Sequence, residues 1–265
     1  MPGPSPAAFD ADRAAQALMA ARRARRVLDQ LPSGVAPRGL ADGIAAQLAV
    51  ARLSDALPPA GFKIGATARR MQDYLGLPGP CGGFMAEAGL HGSGSTLNFA
   101  AFLNAGVECE LAVALARDLP PGPCSNDQAA AAIGELMAGI EVVENRYGPL
   151  DLLGTPTLVA DQVFHAGAVL GAPYPEWRGL DLPNLAGSVL VNGETRGEGS
   201  GADLLGHPFA ALAWLAASDE AAAFGGLRAG QVVMLGSVCP PVWLDGPAEV
   251  TVHFPPLPAV TLSLV

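Results

Sequence analysis

Two textures divide the chain. Through residues 7–57 apolar side chains recur at helical spacing, with Leu18, Leu28, Ile44, Leu48 and Leu53 set among alanines. A Pro- and Gly-containing loop at Leu31–Gly39 interrupts them. From Gly61 the period shortens. β-Branched runs between Gly, Pro and Asn turns predict strands at Phe62–Ile64, Val107–Leu115, Ile140–Asn145, Ser188–Val191, Val232–Leu235, Val250–Phe254 and Val260–Val265. Val191-Asn192-Gly193-Glu194 carries the Asn-Gly pair of a type I′ hairpin. Two later stretches predict helices. Ser125, Asn126 or Asp127 can cap one holding Ile133, Leu136, Met137 and Ile140, and His207–Ala217 has Pro208 in its first turn. The pattern predicts an α+β fold, with an N-terminal helical segment over residues 1–60 and a β-rich domain of mixed or antiparallel strands over 61–265.

Val107-Glu108-Cys109-Glu110-Leu111-Ala112-Val113-Ala114-Leu115 is the stretch richest in chemistry. As a strand it places Glu108, Glu110, Ala112 and Ala114 on one face and the larger apolar residues on the other. As a helix, at about 100° per residue, the two glutamates would diverge. Strict alternation favours the strand. Two carboxylates side by side among small residues need a proton or a cation between them. Oxygen ligands of this kind suit Mg²⁺, Mn²⁺ or Ca²⁺. Glu141, in the β-prone run Ile140-Glu141-Val142-Val143, completes a three-carboxylate site if the two strands are neighbours. The bland alternatives are an edge strand with both glutamates in water, and a solvated helix end pairing Glu141 or Glu144 with Arg146.

Composition narrows the picture. Of 265 residues, 50% are hydrophobic and 15% charged, which argues against disorder. Twenty-five acidic against 15 basic residues give a net charge of −10, which repels phosphate backbones and excludes a nucleic-acid partner. No apolar run reaches the roughly 18 residues of a membrane span. The start, Met-Pro-Gly-Pro-Ser, lacks signal-peptide features, so a cytoplasmic protein is expected. Cys81, Cys109, Cys124 and Cys239 form no CxxC motif and are expected as reduced thiols. Lys63 is the single lysine beside 14 arginines, and lysine, unlike arginine, can exchange protons. Gly197-Glu198-Gly199-Ser200-Gly201 reads as a flexible turn rather than a dinucleotide loop. Ser200 and Ser237 lack a nucleophile elbow. His91, His165, His207 and His253 read as packing or capping residues.

A colinear series of motifs adds a resemblance: Gly61-Phe62-Lys63-Ile64-Gly65-Ala66-Thr67, the Glu108/Glu110 strand with Arg117-Asp118-Leu119, Ile140-Glu141-Val142-Val143, Val159-Ala160-Asp161, Leu205-Gly206-His207-Pro208 with Trp214-Leu215-Ala216, and Leu227-Arg228-Ala229-Gly230. It resembles the 2-keto-4-pentenoate hydratase and 4-oxalocrotonate decarboxylase group of the fumarylacetoacetate hydrolase superfamily, over roughly residues 10–265. The resemblance implies a mixed β-sandwich or roll of the superfamily's C-terminal-domain type around Mg²⁺ or Mn²⁺, held by Glu108, Glu110 and Glu141. It implies Lys63 and Asp161 as catalytic residues, Gln162, Leu235, Gly236 and Ser237 as substrate-binding, and a homo-oligomer.

The expected activity is that of a lyase in the catabolism of aromatic compounds, adding water to a 2-hydroxy-2,4-dienoate. Decarboxylation of a 2-oxo-enedioate and a non-catalytic scaffold subunit are the alternatives. A third reaction, C–C hydrolysis, would need a His/Glu pair that the sequence does not display. Beside a bound cation, a desolvated Lys63 is expected to have a lowered pKa. Three positions depart from the family pattern. Pro80-Cys81-Gly82-Gly83 stands where hydratases have Pro-Asp-aromatic-Gly, Gln162-Val163 follows Ala160-Asp161 in place of Asn-Ala, and Leu235 precedes Gly236 in place of Thr. With Cys81, Gln162, Phe164 and Leu235 in the pocket, an apolar substrate tail is expected.

Overall fold

The computed structural model describes residues 8–265, so the Met1–Ser5 start discussed above lies outside the described residues. Two sheets carry the fold. The larger has eight strands, in spatial order β2 (Cys81–Met85), β1 (Gly61–Gly65), β10 (Val232–Ser237), β5 (Ala105–Leu115), β6 (Ile133–Glu144), β7 (His165–Leu170) and β3 (Leu90–Gly92), with β11 (Val242–Trp243) added beside β5. The smaller has five, β4 (Ser95–Leu97), β13 (Val260–Leu264), β12 (Ala248–His253), β8 (Ala186–Val191) and β9 (Glu194–Ser200). Pairing is mixed. β1 runs parallel to β10 and β3 to β7, whereas β5, β6 and β7 are antiparallel. Together with the N-terminal helices this is an α+β fold on mixed sheets, as the pattern predicted and the resemblance implied.

Helices α1 (Ala11–Arg23) and α2 (Leu40–Leu53) pack on each other, and α3 (Arg69–Leu75) follows β1. α4 (Asn126–Ala132) leads into β6, α5 (Leu150–Leu153) and α6 (Thr155–Ala160) follow it, and α7 (Pro208–Ala217) and α8 (Asp219–Ala223) precede β10. α2 packs on α6, α4 on α7, and α8 on β2. Asp10 caps α1 by accepting the Arg13 N–H, and the helix buries Ala14, Ala15, Leu18 and Ala21. It stops at Arg23, earlier than its apolar spacing predicts. Arg25 takes a positive φ, and the Leu28 N–H donates instead to the Arg146 carbonyl at 2.9 Å.

Ser125 and Gln128 form a reciprocal capping box on α4, as the polar run there suggested. The helix ends at Ala132, however, and Ile133–Glu144 is one long strand rather than a helix continued to Ile140. Leu136, Ala138, Ile140 and Val142 enter the main core while Met137 faces a second apolar cluster, so both faces are buried and the period-two signal fades. Asn192 and Gly193, both at positive φ, make the expected hairpin between β8 and β9. Gly197–Ser200 lies inside β9 and is therefore strand, not flexible turn. His207 caps α7 through Nδ1, which accepts from the Phe209 N–H. All four cysteines are free, and among the described residues no helix is long and apolar enough to cross a membrane.

The central strands are held edge to edge without slack. A Cβ at Gly61 would run into the Val232 carbonyl oxygen across the parallel β1–β10 pair. Gly61→Ala should therefore lower stability by about 1–3 kcal/mol, the usual cost of overpacking. Denaturant unfolding at unchanged slope would measure it, and a variant as stable as the parent would contradict this packing.

Candidate active site

β5 lies inside the sheet between β10 and β6, so its glutamates are not on an edge. Register does the rest. Glu108 stands directly across from Glu141, and Glu110 lies opposite Gly139. Oxygens of the three carboxylates come within 4.8 Å of one another. Glu110 and Glu141 are fully buried, while Glu108 is half-buried. Glu110 Oε2 accepts the Gly236 N–H at 2.9 Å, and Glu141 Oε1 accepts from His165 Nδ1 at 2.8 Å. The other two oxygens, Glu110 Oε1 and Glu141 Oε2, are buried with no hydrogen-bond donor among the described residues.

Anionic oxygens are rarely left so, because each forfeits its hydration. A hard divalent cation fits these residues: the donors are all carboxylate oxygens, and two of them are orphaned.

Lys63 reaches the cluster from β1. Its ammonium donates to the Val163 carbonyl at 2.7 Å and lies 3.7 Å from Glu141 Oε1. Gly83, its cross-strand neighbour, makes this possible, since a Cβ there would press on Lys63 Cε at 3.2 Å. Burial works to lower the lysine's pKa, but Glu141, then Cys81, Glu108 and Glu110, outweigh it and raise it. The lowered value anticipated from the sequence assumed a cation beside the amine. Facing carboxylates alone, the amine stays charged.

The carboxylates share that charge unequally. Burial pushes Glu141 up, yet Lys63 and the His165 bond prevail and hold it at about 2. Burial and then Glu141 push Glu108 up to about 8, and burial, Glu141 and Glu108 raise Glu110 well above the carboxylate range. Burial also holds His165 below its ordinary value, so a neutral ring donates Nδ1–H to Glu141. The histidine, read from sequence as a packing residue, thus orients a carboxylate of the cluster. No local spacing pointed to it, because β7 brings it in from the far side of β6.

The Val163 carbonyl that receives Lys63 belongs to an unusual segment. Gln162, Val163 and Phe164 all take positive φ, at 63°, 47° and 67°. Each such L-residue costs about 1–2 kcal/mol, and Val163 is β-branched besides. Asp161 anchors the segment from below. Its carboxylate accepts from Arg22 Nε at 2.7 Å, Arg146 Nε at 3.1 Å and Tyr147 Oη at 2.7 Å. Burial pushes the Asp161 carboxyl up, but Arg146 and Arg22 outweigh it and hold it below the usual range.

Asp161 is therefore engaged with arginines and is not among the residues lining the Lys63 cavity. Gln162 donates to the Phe84 carbonyl at 2.6 Å and lines a basin on the other side, with Arg22 and Arg146. Leu235 is fully buried in the core. Gly236 holds Glu110, and the Ser237 hydroxyl donates to the Cys239 carbonyl at 2.7 Å.

Two cavities meet at Glu108. One, of about 290 Å³, is lined by Lys63, Met71, Tyr74, Val143, Phe164 and Trp243 among others. The second, of about 390 Å³, presents Thr67, Arg70, Glu198, Asp203 and Ser237. Of the residues expected to make an apolar pocket, Phe164 does so. Cys81, Gln162 and Leu235 do not line that cavity, and Tyr74, Met71 and Trp243, which sequence reasoning missed, take their place.

The family profile described as fumarylacetoacetate (FAA) hydrolase C-terminal matches residues 65–264. The 2-keto-4-pentenoate hydratase of Burkholderia vietnamiensis is 34% identical over 201 residues, 76% of each chain. The chain belongs to the fumarylacetoacetate hydrolase superfamily, in its 2-keto-4-pentenoate hydratase and 4-oxalocrotonate decarboxylase group. A 4-oxalocrotonate decarboxylase of Pseudomonas putida is 27% identical over 207 residues, 77% of each chain. The solved structure of the Pseudomonas putida G7 4-oxalocrotonate decarboxylase, complexed with magnesium and adipate, superposes with a TM-score of 0.87 at 23% identity, covering 96% of this chain and 97% of that one. Within this superfamily the carboxylate cluster is the candidate metal and catalytic site.

Crowded carboxylates leave a thermodynamic signature. Glu108 and Glu110 have folded-state values above their unfolded ones, so between the two the folded chain holds more protons and stability falls as pH rises. With metal removed by chelation, Tm should drop between about pH 5 and pH 8, and Glu110→Gln should flatten the drop. Mg²⁺ should restore Tm chiefly at the alkaline end. A wild-type profile no steeper than that of the variant would contradict the burial of these charges.

Proposed function

We propose that this chain is a divalent-metal-dependent lyase that adds water to a 2-hydroxy-2,4-dienoate with an apolar tail, giving a 4-hydroxy-2-oxo acid. One observation carries the reading. The Lys63 ammonium and Glu108 stand in a cavity whose remaining walls, including Met71, Tyr74, Phe164 and Trp243, are largely apolar, and among the described residues Lys63 is its one cationic lining residue. Of the relatives compared, the hydratase is also the more similar.

Glu108, Glu110 and Glu141 would hold Mg²⁺ or Mn²⁺, and a divalent cation bound there supplies Lewis-acid polarisation to the carboxylate and 2-oxygen of the acid. The protein's own groups manage protons and water. In the addition, water's oxygen joins the γ-carbon, while its proton and the enol proton end on the β- and δ-carbons. Lys63, fixed at one N–H by Val163 and charged, is placed to donate one of these. Burial first, against the pull of Lys63, pushes the Cys81 thiol up to about 12, so it stays protonated and does not replace the missing acid as a base. Phe164 and Trp243, with ring centroids 6.1 Å apart, give the tail an aromatic wall.

A second reading, decarboxylation of a 2-oxo-enedioate, rests on Arg70. It lines the adjoining cavity that shares Glu108, where a distal carboxylate would find a cation.

Lys63→Met should lose turnover by about 100-fold or more while Mn²⁺ affinity stays within about threefold. Lys63→Arg should not rescue, because guanidinium does not give up its proton. Normal turnover in the Met variant would refute the role.

The tail is tested separately, with dienoate and dienedioate compared by kcat/KM in parallel with carbon dioxide release. The dienoate should be preferred, since a second carboxylate against Phe164 costs several kcal/mol. A tenfold preference for the diacid, about 1.4 kcal/mol, would favour the decarboxylase and direct attention to Arg70. Metal-independent inactivity in both assays would leave the scaffold reading.

A further inference from the structure

Arg22 lies in the last turn of α1, outside the residues matched by the family profile. It nevertheless reaches the segment that backs the lysine. Its Nη2 donates to the Asp161 main-chain carbonyl at 3.1 Å and to Gln162 Oε1 at 2.9 Å, and its Nε donates to the Asp161 carboxylate. Arg146 and Tyr147 hold the other carboxylate oxygen, Oδ2, and the Asp161 carbonyl from the other side. Among the described residues Arg22 supplies the donors to the remaining carboxylate oxygen, Oδ1, and to the Gln162 side chain. The latter bond fixes the amide with its nitrogen toward the Phe84 carbonyl on β2. Gln162 opens the left-handed turn, and the next carbonyl, that of Val163, receives the Lys63 ammonium.

We propose that Arg22 is a positioning residue. From the N-terminal helix it holds the strained Gln162–Phe164 turn, and through the Val163 carbonyl it fixes Lys63 against the carboxylate cluster. The proposal rests on the role assigned to Lys63 above. A backbone with three successive left-handed residues stays in place only where its surroundings over-determine it. Arg146, fully enclosed, secures the base of the turn at Asp161 and at the His165 carbonyl. Arg22 secures its first residue. The two guanidiniums thus divide the work, stability resting mainly on Arg146 and the placement of the turn on Arg22. Arg22 is also reachable, being 23% exposed and lining the basin of about 380 Å³ with Arg25 and Arg26.

The test uses the full chain with Arg22→Ala and Arg22→Lys. Lys63 is the only lysine, so amine-reactive labelling followed by peptide mass reads its release with no need for turnover. In Arg22→Ala, Lys63 labelling should accelerate by about tenfold and kcat should fall by about 10–100-fold. KM and Mn²⁺ affinity should stay within about threefold, because no substrate or metal contact is removed. Free guanidinium ion, admitted through the open basin, should restore kcat in part where sodium chloride of equal ionic strength does not. Arg22→Lys, which keeps the charge but not the fork, should restore less than guanidinium does.

Unchanged labelling with unchanged kcat overturns the proposal, as does faster labelling without loss of kcat. A loss of kcat with a collapsed Tm and no guanidinium rescue also overturns it, by showing a merely structural role. If wild-type protein turns over no dienoate, the function proposed above fails. The labelling arm then decides by itself whether Arg22 positions Lys63.

Discussion

Three carboxylates and one ammonium are forced together by strand register. Glu108 must face Glu141 because β5 and β6 pair in that alignment, and Glu110 follows two residues along on the same face. Lys63, the one ammonium set among them, is too little charge for three. The remaining imbalance is met by protons held at raised pKa or by a divalent cation, and the two orphaned oxygens show where the demand is unmet. Much else in the molecule follows from this arrangement. Gly83 lacks a side chain where the lysine occupies that volume, and His165 is held neutral to donate into the cluster.

Placing the lysine takes more than its own strand. Its hydrogen-bond acceptor is a carbonyl that points inward only because the chain turns through three left-handed residues. That conformation is unfavourable locally and is sustained from beneath by a buried aspartate between two arginines. The same turn sends Phe164 into the cavity wall, so lysine position and cavity shape are set by one piece of backbone. Local strain at a chemically active segment, held by charge pairs behind it, is a common economy in binding sites.

How far the sequence disclosed this depended on whether neighbouring faces met different surroundings. The β5 glutamates were legible because one face of that strand meets the core and the other the cluster, leaving strict alternation. β6 was half legible. Its strand character was plain at Ile140–Val143, but burial on both faces hid the earlier half behind a helix-like spacing. The contributions of Arg22, Arg146 and His165 had no local signal, since each acts across the fold on a residue remote in sequence or on a backbone carbonyl. Leu235 and Gln162 stand at family positions with changed residues; one is sealed in the core and the other turns to a different basin.

The topology also bears on the order in which the centre is assembled. All three glutamates come from β5 and β6, neighbours in sequence joined through residues 116–132, so the anionic half can close early. Lys63 arrives otherwise. Its strand lies beside β10 in parallel, and Gly61 cannot meet Val232 until nearly the whole chain is available. Closing so long a loop is slow relative to local pairing. A growing chain therefore passes through a stage in which the acidic cradle exists without its lysine. In that interval electrostatic repulsion within the cradle has no internal counterweight from the lysine.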